Sequence, residues 1–239
     1  MFHLDLAGPA ARLVLDRPAA RNAIPLDGWN LLGARIADVA ASPARALVVT
    51  GAGGAFCAGA DLSDFALLQS DPTARSRFRI EMGRALDALR DLAIPTVARI
   101  EGPCYGAGVA FAMACDLRVA VPGASFAITP AKIGISYPQE DVHRLVELVG
   151  PGQAARLLYT GGSVDAGEAL RIGLVEEVGD EGPLVASLLA NAPESLAALK
   201  RSIRLADDGK RQDGDMDRQF DALFAGEALA ARLEARRKS

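Results

Sequence analysis

An α/β fold is what this sequence predicts, on three observations. Strand-like and helix-like segments alternate over most of its length, two glycine-rich turns each follow an apolar strand-like run, and from Leu184 onward the periodicity is helical throughout. The opening "MFHLDLAGPAARLVLD" reads as two strands around a Gly-Pro turn, with none of the charge and apolar layout of a signal segment. Leu26 to Ala40 follows as a helix, then "RALVVT" as a buried strand ending in glycines. Thr73 to Leu92 is a helix with Phe78, Met82, Ala85, Leu86 and Leu89 on one face. "PTVARIEG" is a strand that runs into a glycine-rich turn and the apolar helix "AGVAFAMAC", followed by the strands "DLRVAV" and "SFAI". After Pro138, Val142, Leu145, Val146 and Val149 share a helical face that Gly150-Pro151 ends. Two more helices lead to a short strand in "RIGLVEEV".

A chain of 239 residues suits one large domain, or one domain with a helical appendage, divided as residues 1–180 and 181–239. Half the residues are hydrophobic, 23% are charged and the net charge is -4, which gives no general attraction for nucleic acid. The basic end "RLEARRKS" reads as a solvated helix terminus complementing the helix dipole, against a polyanion-binding tail. Cys57, Cys104 and Cys115 form no CxxC pair, so neither a disulfide framework nor a zinc site is indicated, and a reducing cytoplasm is the expected location. The longest uncharged apolar stretch, Gly102 to Cys115, is 14 residues, short of the ~20 that span a bilayer.

The two glycine turns are the segments able to carry chemistry. "VVTGAGGAFCAGADL" (48–62) fails as a dinucleotide loop, because the sixth position of GxGxxG is Phe56 and no acid follows at the usual distance. It fails as a phosphate loop because no Gly-Lys-Ser/Thr closes it. "EGPCYGAGVAFAMACD" (101–116) puts Gly106, Ala107 and Gly108 at the head of a helix, where backbone N–H groups lack helical partners. Two turns that each present a free N–H would make an oxyanion hole; glycines at strand ends in an ordinary α/β loop are the plainer alternative. A peptidase reading lacks a Ser-His-Asp set, since neither His3 nor His143 sits on such a loop, and His143 reads as a partly buried mid-helix histidine.

Four segments, "LDRPAARNAI" (15–24), "VVTGAGGAFCAGADL" (48–62), "IEGPCYGAGVAFAMACDLRVA" (100–120) and "LLYTGGSVDAGEALRIGLVEEV" (157–178), together strongly resemble the enoyl-CoA hydratase/isomerase, or crotonase, family in order and spacing. The resemblance implies a ββα spiral core with a C-terminal helical part used in trimerisation, a homotrimer or dimer of trimers, and an acyl-CoA thioester substrate. No separate cofactor is expected, coenzyme A being part of the substrate, and the charge, apolar-run and cysteine patterns above leave no nucleic-acid, membrane or metal partner to expect. The N–H groups of Ala60 and Ala107 would hold the thioester oxygen, and Ala58, Gly59, Gly106, Ala110 and Pro130 would line the substrate-binding site. Arg21, Ala23, Asp61 and Leu62 would lie along the coenzyme A.

The side chains depart from that family. A hydratase would have Glu where this chain has Ala110 and Pro130, and other members place an Asp where Pro138 stands. Hydration needs groups that activate water and deliver a proton, which Ala and Pro cannot do. Decarboxylation of a malonyl-type thioester makes the enolate without removing a proton. "FAITPAKIGISY" also looks like the methylmalonyl-CoA decarboxylase branch, with Thr129 and Tyr137 as hydroxyls able to hold a leaving carboxylate or steer protonation. That branch usually has His at Ala60 and Glu at Ala110. Glu140 and Asp141 remain as surrogate acids, against a plain role at a helix N-terminus. Lys132 and Ser136 are weaker candidates, Lys132 reading as a solvated lysine. A non-catalytic acyl-CoA-binding scaffold is the reading from a different class.

Overall fold

The computed structural model describes residues 1–238. Two strands open it, β1 (Phe2–Asp5) and β2 (Ala10–Leu15), paired antiparallel with Phe2 opposite Leu15. The helix α1 (Gly28–Ala40) leads into β3 (Ala46–Gly51), whose six residues are all buried. A strand enclosed on both faces has no polar side to show, which is why this run reads as continuous apolar sequence. Next come α2 (Phe65–Ser70) and α3 (Pro72–Arg90). Asp71 starts α3 by accepting from the Thr73 N–H at 2.8 Å, with Pro72 at the first helical position.

The next stretch is β4 (Thr96–Ile100), β5 (Pro103–Tyr105), α4 (Ala107–Met113), β6 (Leu117–Ala120) and β7 (Ser125–Ala127). The helix α5 (Gln139–Thr160) then runs toward β8 (Val164–Asp165), α6 (Ala166–Arg171) and β9 (Glu177–Val178). At Gly150 the backbone leaves helical geometry (φ 74°, ψ 161°), so the helix that Gly150-Pro151 ends is followed at once by a second, continuing to Thr160. Beyond it are the helices α7 (Gly182–Ala190), α8 (Pro193–Asp207), α9 (Gly214–Phe224) and α10 (Glu227–Lys238).

One sheet has the order β1-β2-β3-β4-β6-β9 and is parallel from β2 onward; a second, β5-β7-β8, stands beside it. The core lies where α1 and α3 cover the larger sheet. Trp29, Leu32, Ile36 and Val39 form the buried stripe of α1, and Met82, Ala85, Leu86 and Leu89 that of α3, at the spacings that put residues on one helical face. Trp29 meets Phe78 edge-on, ring centroids 6.4 Å apart. The apolar pattern marked most elements, but β5 lay hidden inside a segment read as a turn. It is three residues long and contains Pro103, so neither length nor composition signals it.

Candidate active site

The first glycine turn is held by a neighbouring stretch of chain. Arg21 and Asn22 take left-handed backbone conformations (φ 48° and 59°), a region that Asn tolerates better than most residues. This buries the Asn22 amide, which donates to Ala52 O at 2.9 Å and Ala55 O at 2.7 Å, while its Oδ1 accepts from the Arg17 N–H at 2.8 Å. Past Asn22 the chain runs beside "CAGAD": Ala58 N–H donates to Arg21 O (2.9 Å), Ile24 N–H to Gly59 O (2.8 Å) and Asp61 N–H to Ile24 O (3.0 Å). Successive N–H groups of extended chain point to opposite sides. With Asp61 N–H spent on Ile24, the Ala60 N–H faces away and has no acceptor among the described residues.

The second turn is bound to the first. Phe56 and Cys57 N–H both donate to Pro103 O at 3.1 Å, and Tyr105 N–H donates to Cys57 O at 2.8 Å. Gly106 N–H reaches Ala127 O at 2.8 Å, and Gly106 bends the chain (φ 52°, ψ -122°) into α4. Ala107 is the first residue of that helix, so its N–H has no helical partner, and none exists among the described residues. Two glycines show how closely the turns meet. A Cβ at Gly59 (φ 100°) would stand 2.8 Å from Tyr105 O and 3.0 Å from Ala107 N; one at Gly108 would stand 2.2 Å from Cys57 O. The Ala60 and Ala107 N–H groups thus sit on abutting turns, unspent, with the positive end of α4 adding a small favourable field for an anion.

The side chains around them carry few charges. Ala110 and Pro130 are both buried. Tyr137 is buried too, and its hydroxyl donates to Gly106 O at 3.0 Å. Its pKa is pushed well above the usual 10 by burial first, then by the charge of Asp141, so it stays a neutral phenol. That proton is spent on Gly106, and Thr129, half-buried ahead of the turn at residues 130–133, is left as the hydroxyl without a hydrogen bond among the described residues. Ser136 and Lys132 are exposed, the Lys132 stem lying against Gly161.

The two surrogate acids differ sharply. Glu140 is exposed, its Oε2 3.9 Å from where a Cβ on Gly83 of α3 would be. Asp141 is buried and paired with Arg144 at 3.1 Å; Arg144 also holds Asp87 of α3 at 2.7 Å. Burial raises the Asp141 carboxyl to about 6 despite the opposing pull of Arg144. His143, expected to be partly buried, instead has a side chain 69% exposed and pairs with Glu147 at 2.9 Å. One helical step from Val142 turns it away from the face that packs on the core.

Of the residues expected along coenzyme A, Arg21 is exposed, Ala23 buried and Leu62 67% exposed. Asp61 is committed locally: its carboxylate takes Ser63 N–H (3.0 Å) and Oγ (2.8 Å) and pairs with Arg17 (3.0 Å). The Ser63 hydrogen bonds, ahead of Arg17, hold its pKa below the usual value. Asn22 was the residue that sequence reasoning passed over; a polar residue between Arg21 and Ala23, next to a glycine loop rich in carbonyls, was the available signal. A cavity of about 490 Å³ lies elsewhere, between the end of α4, α5 and α8, and includes Met113, Cys115, Leu148 and Leu199 in its lining. Among the described residues no cluster of His, Cys, Asp or Glu is placed to hold a metal ion, and no helix is long and apolar enough to cross a membrane.

Known proteins share this arrangement of a spiral α/β core and a helical tail. A protein described as an enoyl-CoA hydratase/isomerase family member from Hyphomonas neptunium superposes with a TM-score of 0.93 at 35% identity, covering 99% of this chain and 94% of that one. The Mycobacterium tuberculosis protein named "Probable enoyl-CoA hydratase echA6" is 34% identical over 99% of this chain and 97% of its own length. "Short-chain-enoyl-CoA hydratase" of Clostridium acetobutylicum is 31% identical over 95% and 88%. The fold is therefore that of the crotonase-type acyl-CoA enzymes. The model of the enoyl-CoA hydratase/isomerase family matches residues 9–223, and the chain belongs to that family.

Proposed function

We propose that this chain binds an acyl-CoA thioester with its carbonyl oxygen between the N–H groups of Ala60 and Ala107, and stabilises the enolate formed when a bond at Cα breaks. The observation that carries this is the pair of unspent N–H groups on two turns in backbone contact. By precedent from oxyanion holes, each preorganised donor lowers the barrier by roughly 3 to 4 kcal/mol.

The reaction that fits the surrounding side chains is one without a general base, and we assign decarboxylation of a malonyl-type acyl-CoA. The C–C bond to the carboxylate breaks, its electron pair passes to Cα and the thioester oxygen, and CO2 leaves. A solvent proton then completes the product. Ala110 and Pro130 supply no carboxylate to repel that of the substrate. Thr129 is the hydroxyl free to hold it, while Tyr137 is committed to Gly106. A second reading, hydration or isomerisation, has one observation in its favour: burial raises the Asp141 carboxyl to about 6, closer to neutral pH than an ordinary carboxyl.

Incubation with methylmalonyl-CoA and crotonyl-CoA, following CO2 release and hydration separately, tests both readings. CO2 release that survives Asp141→Asn is the expected result. Hydration abolished by Asp141→Asn would establish the second reading, and thioester binding without turnover of any kind would make the chain a binding scaffold. The helical tail has exposed apolar side chains at Leu199, Ile203, Phe220 and Phe224. We assign them to contacts between copies in a trimer or dimer of trimers, which sedimentation analysis checks against a monomer.

A further inference from the structure

Gly106 O and Ala107 N–H belong to the same peptide unit, and the two ends of that unit face different partners. The carbonyl accepts the Tyr137 hydroxyl at 3.0 Å and also Val109 N–H at 2.9 Å, while the N–H carries no partner among the described residues. Gly106 has backbone angles (φ 52°, ψ -122°) outside the ordinary helix and strand regions, and its carbonyl also takes the Ala110 N–H at 3.4 Å, so the start of α4 holds this oxygen from one side and Tyr137, from another segment, holds it from a second. The Tyr137 ring is buried in the main core, and its segment is closed on itself by Ile135 N–H donating to Pro130 O at 3.1 Å. A donor from outside the turn therefore anchors the oxygen end of the peptide whose nitrogen end is free.

We propose that Tyr137 is a positioning residue of the oxyanion hole: its hydroxyl fixes and polarises the 106–107 peptide, and so aims and strengthens the Ala107 N–H. The proposal rests on the assignment of Ala60 and Ala107 to the thioester oxygen. Donation to an amide oxygen draws electron density from its nitrogen, and hydrogen bonds in such a chain strengthen one another by about 10–30% per bond. The phenol keeps its proton across the working pH range because burial holds its pKa high. This role differs from contact with a substrate carboxylate, for which a hydroxyl already donating to Gly106 has no second proton.

The test is the infrared carbonyl band of crotonyl-CoA labelled with carbon-13 at the thioester carbon, recorded free and bound. The wild-type protein is expected to move the band to lower frequency. Tyr137→Phe is expected to lose about a tenth or more of that displacement, since only one of the two donors loses its polarising partner, while affinity for coenzyme A lacking the acyl group stays within about twofold. Replacing Tyr137 by 3-fluorotyrosine, a stronger donor of nearly the same shape, is expected to deepen the displacement, a response that simple packing does not give. An unchanged displacement in both variants overturns the proposal while leaving the oxyanion assignment standing. A wild-type protein that binds no thioester, or binds it without moving the band, removes the oxyanion assignment and this proposal with it.

Discussion

Gly108→Ala tests the contact between the two turns. The added Cβ would lie 2.2 Å from Cys57 O and 3.0 Å from both Cys57 C and Cβ. Real Cβ contacts essentially never fall below 3.0 Å, so the turns must part by at least roughly 0.8 Å, and the atom met is backbone, which cannot swing aside. Overpacking of this kind costs about 1–3 kcal/mol of stability. Displacement of a reacting group by about 1 Å costs on the order of 100-fold in rate. The expected result is a loss of folding free energy in that range by urea titration, with CO2 release from methylmalonyl-CoA reduced about 100-fold. Gly123→Ala is the control, since a Cβ there meets nothing within 4 Å, and it should stay within about 0.5 kcal/mol of wild type. If Gly108→Ala matched that control in stability and kept its turnover, the turns would not be in the register described, and the argument for paired N–H groups would fail.

Two further outcomes follow from the same geometry. The folded-state pKa of Asp141, about 6, exceeds the ordinary aspartate value of 3.8, so the folded protein holds that proton more tightly and stability falls as pH rises from about 4 to 6. The drop amounts to roughly 3 kcal/mol, at 1.36 kcal/mol per unit. Asp141→Asn, which leaves Arg144 paired with Asp87, should remove that fall; urea unfolding at pH 4 and 7.5 would show an unchanged wild-type-to-variant difference if the burial argument were wrong. Asn22→Ala withdraws hydrogen bonds from the buried Ala55 carbonyl and the part-buried Ala52 carbonyl and one acceptor from the Arg17 N–H, and should cost about 1–3 kcal/mol in thermal or urea unfolding while weakening thioester binding. A melting temperature and affinity equal to wild type would show that the 52–55 loop holds itself.

Much of this site was readable in advance because it is made of backbone. An N–H donor needs no particular side chain, only a strand end, glycines at the close approaches and a helix start, and all three leave marks in "FCAGAD" and "YGAGVAFAM". Side-chain roles were less readable. Tyr137 looked like a group facing substrate because the hydrogen bond that engages it runs to Gly106, 31 residues away in sequence. Asp141 and Glu140, adjacent and chemically alike, could not be told apart until the helix set one inward against Arg144 and the other outward.

The sequence alone determined the α/β order, the core stripes of α1 and α3, the position of both glycine turns and the lack of acid at Ala110 and Pro130. These rest on residue type and short-range periodicity, which the chain carries locally. Only the tertiary structure decided that the turns abut, that Asn22 pins one of them, that Asp141 is buried and His143 exposed, and that the Tyr137 hydroxyl donates to Gly106 O. Each of these depends on contacts between segments far apart in sequence, where the partner, the distance and the burial exist only after the chain has folded.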